Sequence, residues 1–416
     1  MQVQKRYPSL FSVIVSSLGG LQFGFNTAII AGVLLSVTRI FNLTQWQQGI
    51  FASSILLGAL LGSSCSGILA DRLGRRGAQR FSAIIFIVGG IILFFTSSFH
   101  LFVFGRFIQG LGVGIVSMVV PMYLAEIALP KHRGAYVSVN QLAITIGIVM
   151  AYLINWLFAY KDWHLVFFIS TLIAIIYWIG LSFIPESTVY KQKIKFRKSI
   201  WKLLFFRARI RKILAFGIIL SALQQFTGIN IVIYFAPTIL QTVGNAETGH
   251  AISTAVLLGV INVIATIVSL WLIDRVGRRK LLITSVFFMM LSLFIIGIGL
   301  SRNTGMVKSI TFLSLIIYII AFAIGMGPIT WLLISEIYPI RIRAQAMSIA
   351  TFANWLSNYV VSLTFLPIMY IITPSGAFFL YGFIALFALM FVFKRVPETK
   401  GKSLIEISKE LHVNSL

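Results

Sequence analysis

Apolar positions along the chain gather into long runs separated by short polar stretches. The runs cover about 10–36, 48–70, 81–99, 101–125, 135–158, 164–184, 213–242, 249–273, 281–300, 309–335, 345–370 and 376–394, twelve in all. Each is close to or beyond the ~20 residues that cross a bilayer as helix. They lack the ~10-residue alternation of an outer-membrane barrel, and a helix satisfies its own backbone in lipid. The pattern therefore predicts an all-α membrane protein with twelve transmembrane helices. The first run is too long for a signal-peptide core, and Ser16, Ser17, Gly19 and Gly20 sit inside it rather than ending it. It is expected to stay in the membrane.

The connections between runs are lopsided in charge. Of the 34 Lys and Arg, 29 fall in alternate connections and both ends of the chain, and Arg39, Lys161, Arg302 and Lys308 are the only ones in the opposite connections. Cationic loops resist translocation, so both termini are expected in the cytoplasm of a plasma or bacterial inner membrane. Arg106 alone lies inside a run. The longest connection, 185–212, carries ten basic residues and an amphipathic-looking stretch from Phe196 to Lys212. It reads as a linker lying on an anionic inner leaflet.

That linker divides the runs six and six, and motifs repeat across it. Asp71-Arg72-Leu73-Gly74-Arg75-Arg76 recurs as Asp274-Arg275-Val276-Gly277-Arg278-Arg279, Glu126 with Arg133 recurs as Glu336 with Arg343, and Pro185-Glu186-Ser187 recurs as Pro397-Glu398-Thr399. Three pairs at nearly one period indicate duplicated halves. The expected organisation is a six-helix bundle over 1–184, a basic linker over 185–212, a second bundle over 213–394 and a tail over 395–416. Two such repeats suit a rocking transporter with its site between the halves near the midplane.

Composition narrows the chemistry. With 58% hydrophobic and 11% charged residues and a mean hydropathy of +0.96, the chain cannot cover a water-facing surface, which excludes a soluble enzyme. The net charge of +24 belongs to the loop asymmetry, so nucleic acid is not an expected partner. One cysteine, Cys65, allows no internal disulfide, and the five histidines form no metal or triad grouping. Without a phosphate loop of the Gly-x4-Gly-Lys-Ser/Thr kind, an ATP-driven pump is excluded as well. No cofactor and no metal are expected.

What remains inside the runs is a set of side-chain amides, groups that both donate and accept. Gln141, Gln224, Gln225, Asn230, Asn262, Asn354 and Asn358 are placed there, where an unpaired amide is costly. They serve either as bonds between helices or as the wall of a wet cavity. On an ideal helix Gln225 and Asn230 point ~140° apart, so Gly228 between them is expected to break the helix and re-aim its outer part. Trp331 follows Gly325-Met326-Gly327-Pro328, another expected bend, and with Phe322 and Trp355 offers a flat apolar face beside the amides. Charged motif residues at the helix ends are expected to pair between bundles and to act as a gate.

Taken together, Gly67-x-x-x-Asp71-Arg72-x-Gly74-Arg75-Arg76, Pro121-Met122-Tyr123-x-x-Glu126, Arg133-Gly134, Pro185-Glu186-Ser187, Gln224-Gln225-x-x-Gly228-x-Asn230 and Pro397-Glu398-Thr399-Lys400-Gly401 resemble the sugar porter family of the major facilitator superfamily. The resemblance implies substrate binding by Gln141, Gln224, Gln225, Asn230, Asn262, Trp331 and Asn354, with Phe23, Asn26, Phe322 and Trp355 as further lining candidates. It implies an external gate at Tyr234. It also implies gating by Asp71, Arg72, Arg75, Arg76, Glu126, Arg133 and their counterparts Asp274, Arg275, Arg278, Arg279, Glu336 and Arg343. Two positions depart from it: Asn26 stands where proton-coupled members carry an acid, and Ala323 stands where animal facilitative carriers carry one.

The expected function is alternating-access transport of a hexose or pentose by a functional monomer, most simply as facilitated uniport. A proton-coupled sugar symporter and an organic-anion or polyol carrier stand as alternatives.

Overall fold

The computed structural model describes residues 10–129, 133–158, 162–187, 190, 208–233, 248–301, 305–339, 342–402, 406–407 and 410. Its elements are helices α1 (Leu10–Ala28), α2 (Ile30–Phe41), α3 (Gln45–Arg72), α4 (Gly74–Phe95), α5 (Phe99–Ile127), α6 (Arg133–Phe158), α7 (Trp163–Gly180), α8 (Ala208–Phe226), α9 (Thr248–Val276), α10 (Arg278–Ser301), α11 (Gly305–Ala321), α12 (Gly327–Ile337) and α13 (Arg343–Arg395). No strand is present among the described residues. Eleven segments there are long and apolar enough to cross a membrane, and the remaining predicted run, 345–370, is the first part of α13.

The surface, unlike that of a protein in water, is as apolar as the core. Phe81, Ile84, Phe168, Trp178, Ile264, Trp271, Phe383 and Phe387 are exposed, while Gln22, Asn26, Gln79, Arg106 and Gln109 are buried among the core residues with no exposure at all. A surface of large apolar side chains over an interior that also encloses amides and a guanidinium is stable only if the surrounding solvent is hydrocarbon. The protein is an integral membrane protein.

Helices α1 and α3–α7 pack on one another, as do α8–α13, with α13 against α3 and α9 against α6 joining the two sets. At the crossing of α3 on α5, Gly58 meets Gly110, Gly62 meets Leu111, and Gly114 meets Ala59 and Ser63. A β-carbon on Gly110 would sit 2.2 Å from the Ile55 carbonyl, and one on Gly58 would sit 2.1 Å from that of Phe107. Small residues here let backbones touch, which is how helices associate where lipid supplies no hydrophobic drive.

The structure redraws several predicted boundaries. The Asp-Arg-x-Gly-Arg-Arg motif lies in no long loop: only Leu73 separates α3 from α4, so α4 starts at Gly74 rather than at 81. The run 213–242 breaks at Thr227-Gly228 and resumes as helix over 229–233. The run 309–335 is α11, a single π-helical turn at Phe322–Met326, and α12. Pro328 has no N–H for the Ile324 carbonyl, which instead accepts from the Ser269 hydroxyl at 2.9 Å. The last two predicted runs form one element, α13, interrupted at Ile372 and at Thr373 (φ 70°, ψ 158°), the residue before Pro374. Most of the basic linker (188–189 and 191–207), parts of the tail, and Tyr234 lie outside the described residues.

Replacing Gly110 with Leu is expected to destabilise the α3–α5 crossing by about 1–3 kcal/mol or to prevent folding. Gly49→Ala, inside the same α3 and where a β-carbon meets nothing within 4 Å, is expected to keep or raise stability, by up to about 1 kcal/mol. Thermal unfolding of the two detergent-solubilised variants checks both; a Gly110→Leu melt equal to that of the parent contradicts the packing argument.

Candidate functional site

The break after α8 brings its amides together. Gly228 takes φ +92°, a backbone conformation that side-chain-bearing residues rarely hold, and it turns 229–233 away from the α8 axis. Asn230 Nδ2 thereby donates to Gln225 Oε1, despite the angular separation on a straight helix. From there the amides form a relay. Gln225 Nε2 donates to Asn354 Oδ1 at 3.0 Å, Asn354 Nδ2 to Gln224 Oε1 and to the Ser221 carbonyl at 2.8 Å each, and Gln224 Nε2 to the carbonyls of Met326 (3.0 Å) and Gly327 (3.1 Å). The last two carbonyls belong to the π turn and the first residue of α12. Backbone irregularity in one helix thus supplies acceptors for the amides of another.

The amides differ in how far they are bonded within the protein. Gln224 and Asn354 are spent on bonds within the second half, whereas Gln141 is buried and makes no hydrogen bond to another described residue. Asn262 Oδ1 is buried without a hydrogen-bond partner. Asn262 borders a cavity of about 20 Å3 shared with Ile148, Tyr152, Ile229, Val232 and Leu258. That is room for about one water. A larger ligand therefore requires the halves to part. Across this gap Tyr152 donates from its hydroxyl to the Ile233 carbonyl at 2.8 Å.

The aromatic candidates are largely enclosed as well. Trp355 is buried, donates from Nε1 to Ser117 Oγ across the halves at 3.0 Å, and has its ring 5.2 Å from that of Phe23. Trp331 and Phe322 are also buried. Asn26 is fully enclosed within the first half: its Nδ2 donates to the Gln22 carbonyl and to Gln22 Oε1, and its Oδ1 accepts from Ser170 at 3.0 Å. Arg106, also without exposure, donates from Nη1 to the Asn26 carbonyl at 2.8 Å.

The charged motifs meet at the opposite level, the basic end of the bundle. Arg75 holds Glu126 in a fork, Nε to Oε2 and Nη2 to Oε1 at 3.0 Å each, and reaches Asp71 at 3.4 Å. Arg278 holds Asp274 at 2.9 Å and Glu336 at 3.4 Å. Glu186 accepts the amides of Arg75 and Arg76 and so caps α4; Glu398 does the same for α10 through Arg278 and Arg279. Ser187 and Thr399 donate their hydroxyls to Glu126 and Glu336. Arg76 and Arg279 hold the carbonyls of Ile184 and Phe393, while Arg72 is exposed and Arg275 lies 3.9 Å over the Trp271 ring.

The strongest of these pairs lie inside one half, which revises the expectation that they bridge the two. Contacts that cross are weaker: Arg133 to Glu336 at 3.8 Å, the Ala135 amide to Asp274 at 3.0 Å, and Gln345 to Asp71. Asp274 thus faces the N-terminus of α6 and Asp71 that of α13, each in the other half, where a carboxylate is favoured by the helix dipole. Arg343 donates from Nε to the Tyr338 carbonyl of its own half at 3.2 Å and lies within electrostatic reach of Glu126, Arg133 and Arg75 of the other half. Burial pushes its guanidinium down to about 10, with Arg133 and Arg75 adding to the shift and Glu126 and Glu336 opposing it. It remains charged at neutral pH. Gln345, Ala135, Ser117 and Tyr152 carry no individual signal in the chain; the Pro-Glu-Ser/Thr motif is visible as a repeat, but its capping geometry exists only in the fold.

The chain's residues 12–198 and 188–411 match the family model described as sugar (and other) transporter. Among curated proteins, the chain is 34% identical over 430 residues to the glucose transporter GlcP of Staphylococcus epidermidis, covering 96% of each chain. It is 33% identical over 481 residues to the D-xylose-proton symporter of Escherichia coli K12, covering 98% of this chain and 96% of the relative. Among solved structures, it matches the major facilitator superfamily proton:xylose symporter XylE bound to 6-bromo-6-deoxy-D-glucose with a TM-score of 0.86 and 30% identity, over 96% of this chain and 98% of that one.

Asp71→Asn and Asp274→Asn are each expected to loosen the contact between halves at the basic end by about 1–2 kcal/mol, raising exposure of the buried interface about 5–30-fold. Thiol labelling of Ser348→Cys in a Cys65→Ser background reads this, because Ser348 packs against Ser63 and Ser66 of the other half. A labelling rate equal to that of the parent in both variants contradicts the assignment.

Proposed function

The chain belongs to the sugar transporter family of the major facilitator superfamily, and we propose that it carries a monosaccharide, hexose or pentose, by facilitated uniport through alternating access. The observation that carries this reading is the amide relay from Asn230 to Gln224, which sits between a broken α8 and the π turn. In such a relay each amide exchanges one protein partner for a sugar hydroxyl without leaving a group unpaired, provided the hydroxyl both donates and accepts. An uncharged polyol meets that condition, and the charged basic end need not take part.

In this reading Gln141, Gln224, Gln225, Asn230, Asn262, Asn354 and Trp331 bind the sugar. Phe23, Phe322 and Trp355 supply apolar faces near it, and Asn26 acts behind them rather than on the ligand. Tyr234 retains its proposed gate role from the resemblance alone. The basic end is the cytoplasmic end, supported by the excess of Lys and Arg there. The halves 1–184 and 213–394 rock about the site as two bundles, the linker 185–212 stays on the anionic inner leaflet, the tail 395–416 is cytoplasmic, and one chain suffices for transport. When the carrier turns inward, the contacts of Asp71, Asp274 and Arg133 across the halves break, while the Arg75 and Arg278 clusters move with their own bundles.

Uniport rests on what can titrate. Among the described residues every acid lies at a helix end or in a connection, with Glu126 and Glu336 in the last turns of α5 and α12. The buried level of Arg106 holds Asn26, whose amide cannot take or release a proton. Relatives whose names include proton symport favour the alternative of proton coupling, which would need Glu126 or Glu336 to load from a wet path.

Gln225→Ala and Asn230→Ala are each expected to weaken sugar binding by about 1–3 kcal/mol with little change in expression. Asn358→Ala, whose Oδ1 accepts from Ser362 on the same helix, is expected to leave binding unchanged. Binding titrations with a hexose and pentose panel check this; unchanged affinity in the first two variants moves the site elsewhere.

Downhill sugar equilibration in proteoliposomes is expected to be insensitive to protonophores and to membrane potential. Asn26→Asp is expected to introduce pH dependence by placing a titratable carboxyl beside Arg106. Accumulation above equilibrium driven by an imposed pH gradient in the parent protein refutes uniport and selects the symport reading.

A further inference from the structure

A groove of about 380 Å3 opens on the membrane-facing surface between α10 and the last turns of α13. Ile283, Phe287, Met390 and Phe393 wall it, and Thr284 and Lys394 complete it. Phe287, Met390 and Phe393 are exposed large apolar residues. The groove sits at the basic end. Lys394 and Arg395 close α13, Lys280 is exposed on the first turn of α10, and Arg279 donates to the Phe393 carbonyl at 2.7 Å. Glu398, the acid of this corner, is turned to the amides of Arg278 and Arg279 and so leaves the lysines unneutralised.

The internal repeat gives this groove a counterpart between α4 and the end of α7. At the offset of the Asp-Arg-x-Gly-Arg-Arg pair Ile283 corresponds to Arg80, and at that of the Pro-Glu-Ser/Thr pair Met390 corresponds to Trp178 and Lys394 to Ser182. In the first half the Arg80 guanidinium lies 5.8 Å over the Trp178 ring and donates from Nη2 to Ser182 Oγ at 2.8 Å. That half fills its crevice with its own side chains. The second half replaces the filler with aliphatic groups and sets a lysine at the mouth.

We propose that this groove is a binding site for one anionic phospholipid, whose acyl chain lies on Ile283, Phe287, Met390 and Phe393 and whose phosphate is held by Lys394 with Lys280 and Arg395. Basic pockets between helices at this level suit phosphodiester head groups, and lysine stems reach the interface while their alkyl parts stay on apolar surface. A zwitterionic lipid fills the slot equally well but brings its own cation to the lysines, so charge decides between the two. The inference rests on the membrane reading alone and holds whichever sugar is carried and however transport is driven.

The test uses the full-length protein in liposomes containing a trace of photoactivatable phosphatidylglycerol or, in parallel, of photoactivatable phosphatidylcholine, with crosslinked peptides mapped by mass spectrometry. The phosphatidylglycerol probe is expected to label segments 281–290 and 387–395 in preference to the α4–α7 surface, and to be displaced by unlabelled phosphatidylglycerol. Lys394→Gln should lower that labelling about fivefold and Lys394→Arg should restore it. Ile283→Trp keeps every charge but fills the slot, and is expected to abolish labelling there while labelling elsewhere persists. Equal labelling of both segments by the phosphatidylcholine probe, or labelling unchanged in Lys394→Gln and in Ile283→Trp, overturns the proposal.

Discussion

Everything in this molecule follows from one constraint: no polar group inside the bundle has water to fall back on. An unpaired amide or charge in such a medium costs several kcal/mol, so each must find a protein partner or a cavity. The consequence reaches the backbone itself. Pro328 frees the Ile324 carbonyl and Ser269 takes it; the π turn offers the Met326 and Gly327 carbonyls and Gln224 takes both. Helix irregularity and buried side-chain amides are therefore two halves of one arrangement. Neither is affordable alone in hydrocarbon.

The same constraint divides the charges by strength. Within each half the pairs are close and multiply bonded, with a forked Arg75–Glu126 contact backed by Ser187 and capped by Glu186. Between halves a 3.8 Å ion pair, an amide on a carboxylate and a side-chain amide suffice. A strong cluster keeps each bundle rigid. On the proposed rocking of the bundles, a weak boundary opens without stranding a buried charge, since Arg133, which loses its cross contact, retains the Ala125 carbonyl at 3.3 Å.

Much of this was legible in the sequence because hydrophobic runs and repeated motifs are local or periodic signals. The twelve runs, the duplicated Asp-Arg-x-Gly-Arg-Arg motif and the break at Gly228 all appear in the structure. Boundaries shifted where polar residues continue a helix: α4 begins with its arginines because Glu186, more than a hundred residues away, caps them. Likewise nothing near Gln225 in the chain indicates that Asn354 is its acceptor, nor near Asp71 that Gln345 is its donor. Side-chain pairing across 129 or 274 residues is decided by how bundles face each other, and residue spacing does not encode it.

A carrier must also keep its two orientations close in free energy, since a difference of several kcal/mol would trap it in one. In the proposed reading that demand is met because the basic end is joined across the halves by a few contacts worth about 1–2 kcal/mol each, while the buried Arg75 and Arg278 clusters stay within their own halves. In the proposed reading the amide relay answers the same demand at the centre. Its members are bonded to one another, so a polyol bound there exchanges hydrogen bonds in place of creating them. Net binding is then modest, and modest binding is what turnover needs, because a site that held its sugar tightly in one orientation would release it slowly in the other. Charge on the ligand would upset this balance: an anion could not be exchanged for an amide acceptor such as Gln225 Oε1 without leaving Asn230 Nδ2 as its sole compensation.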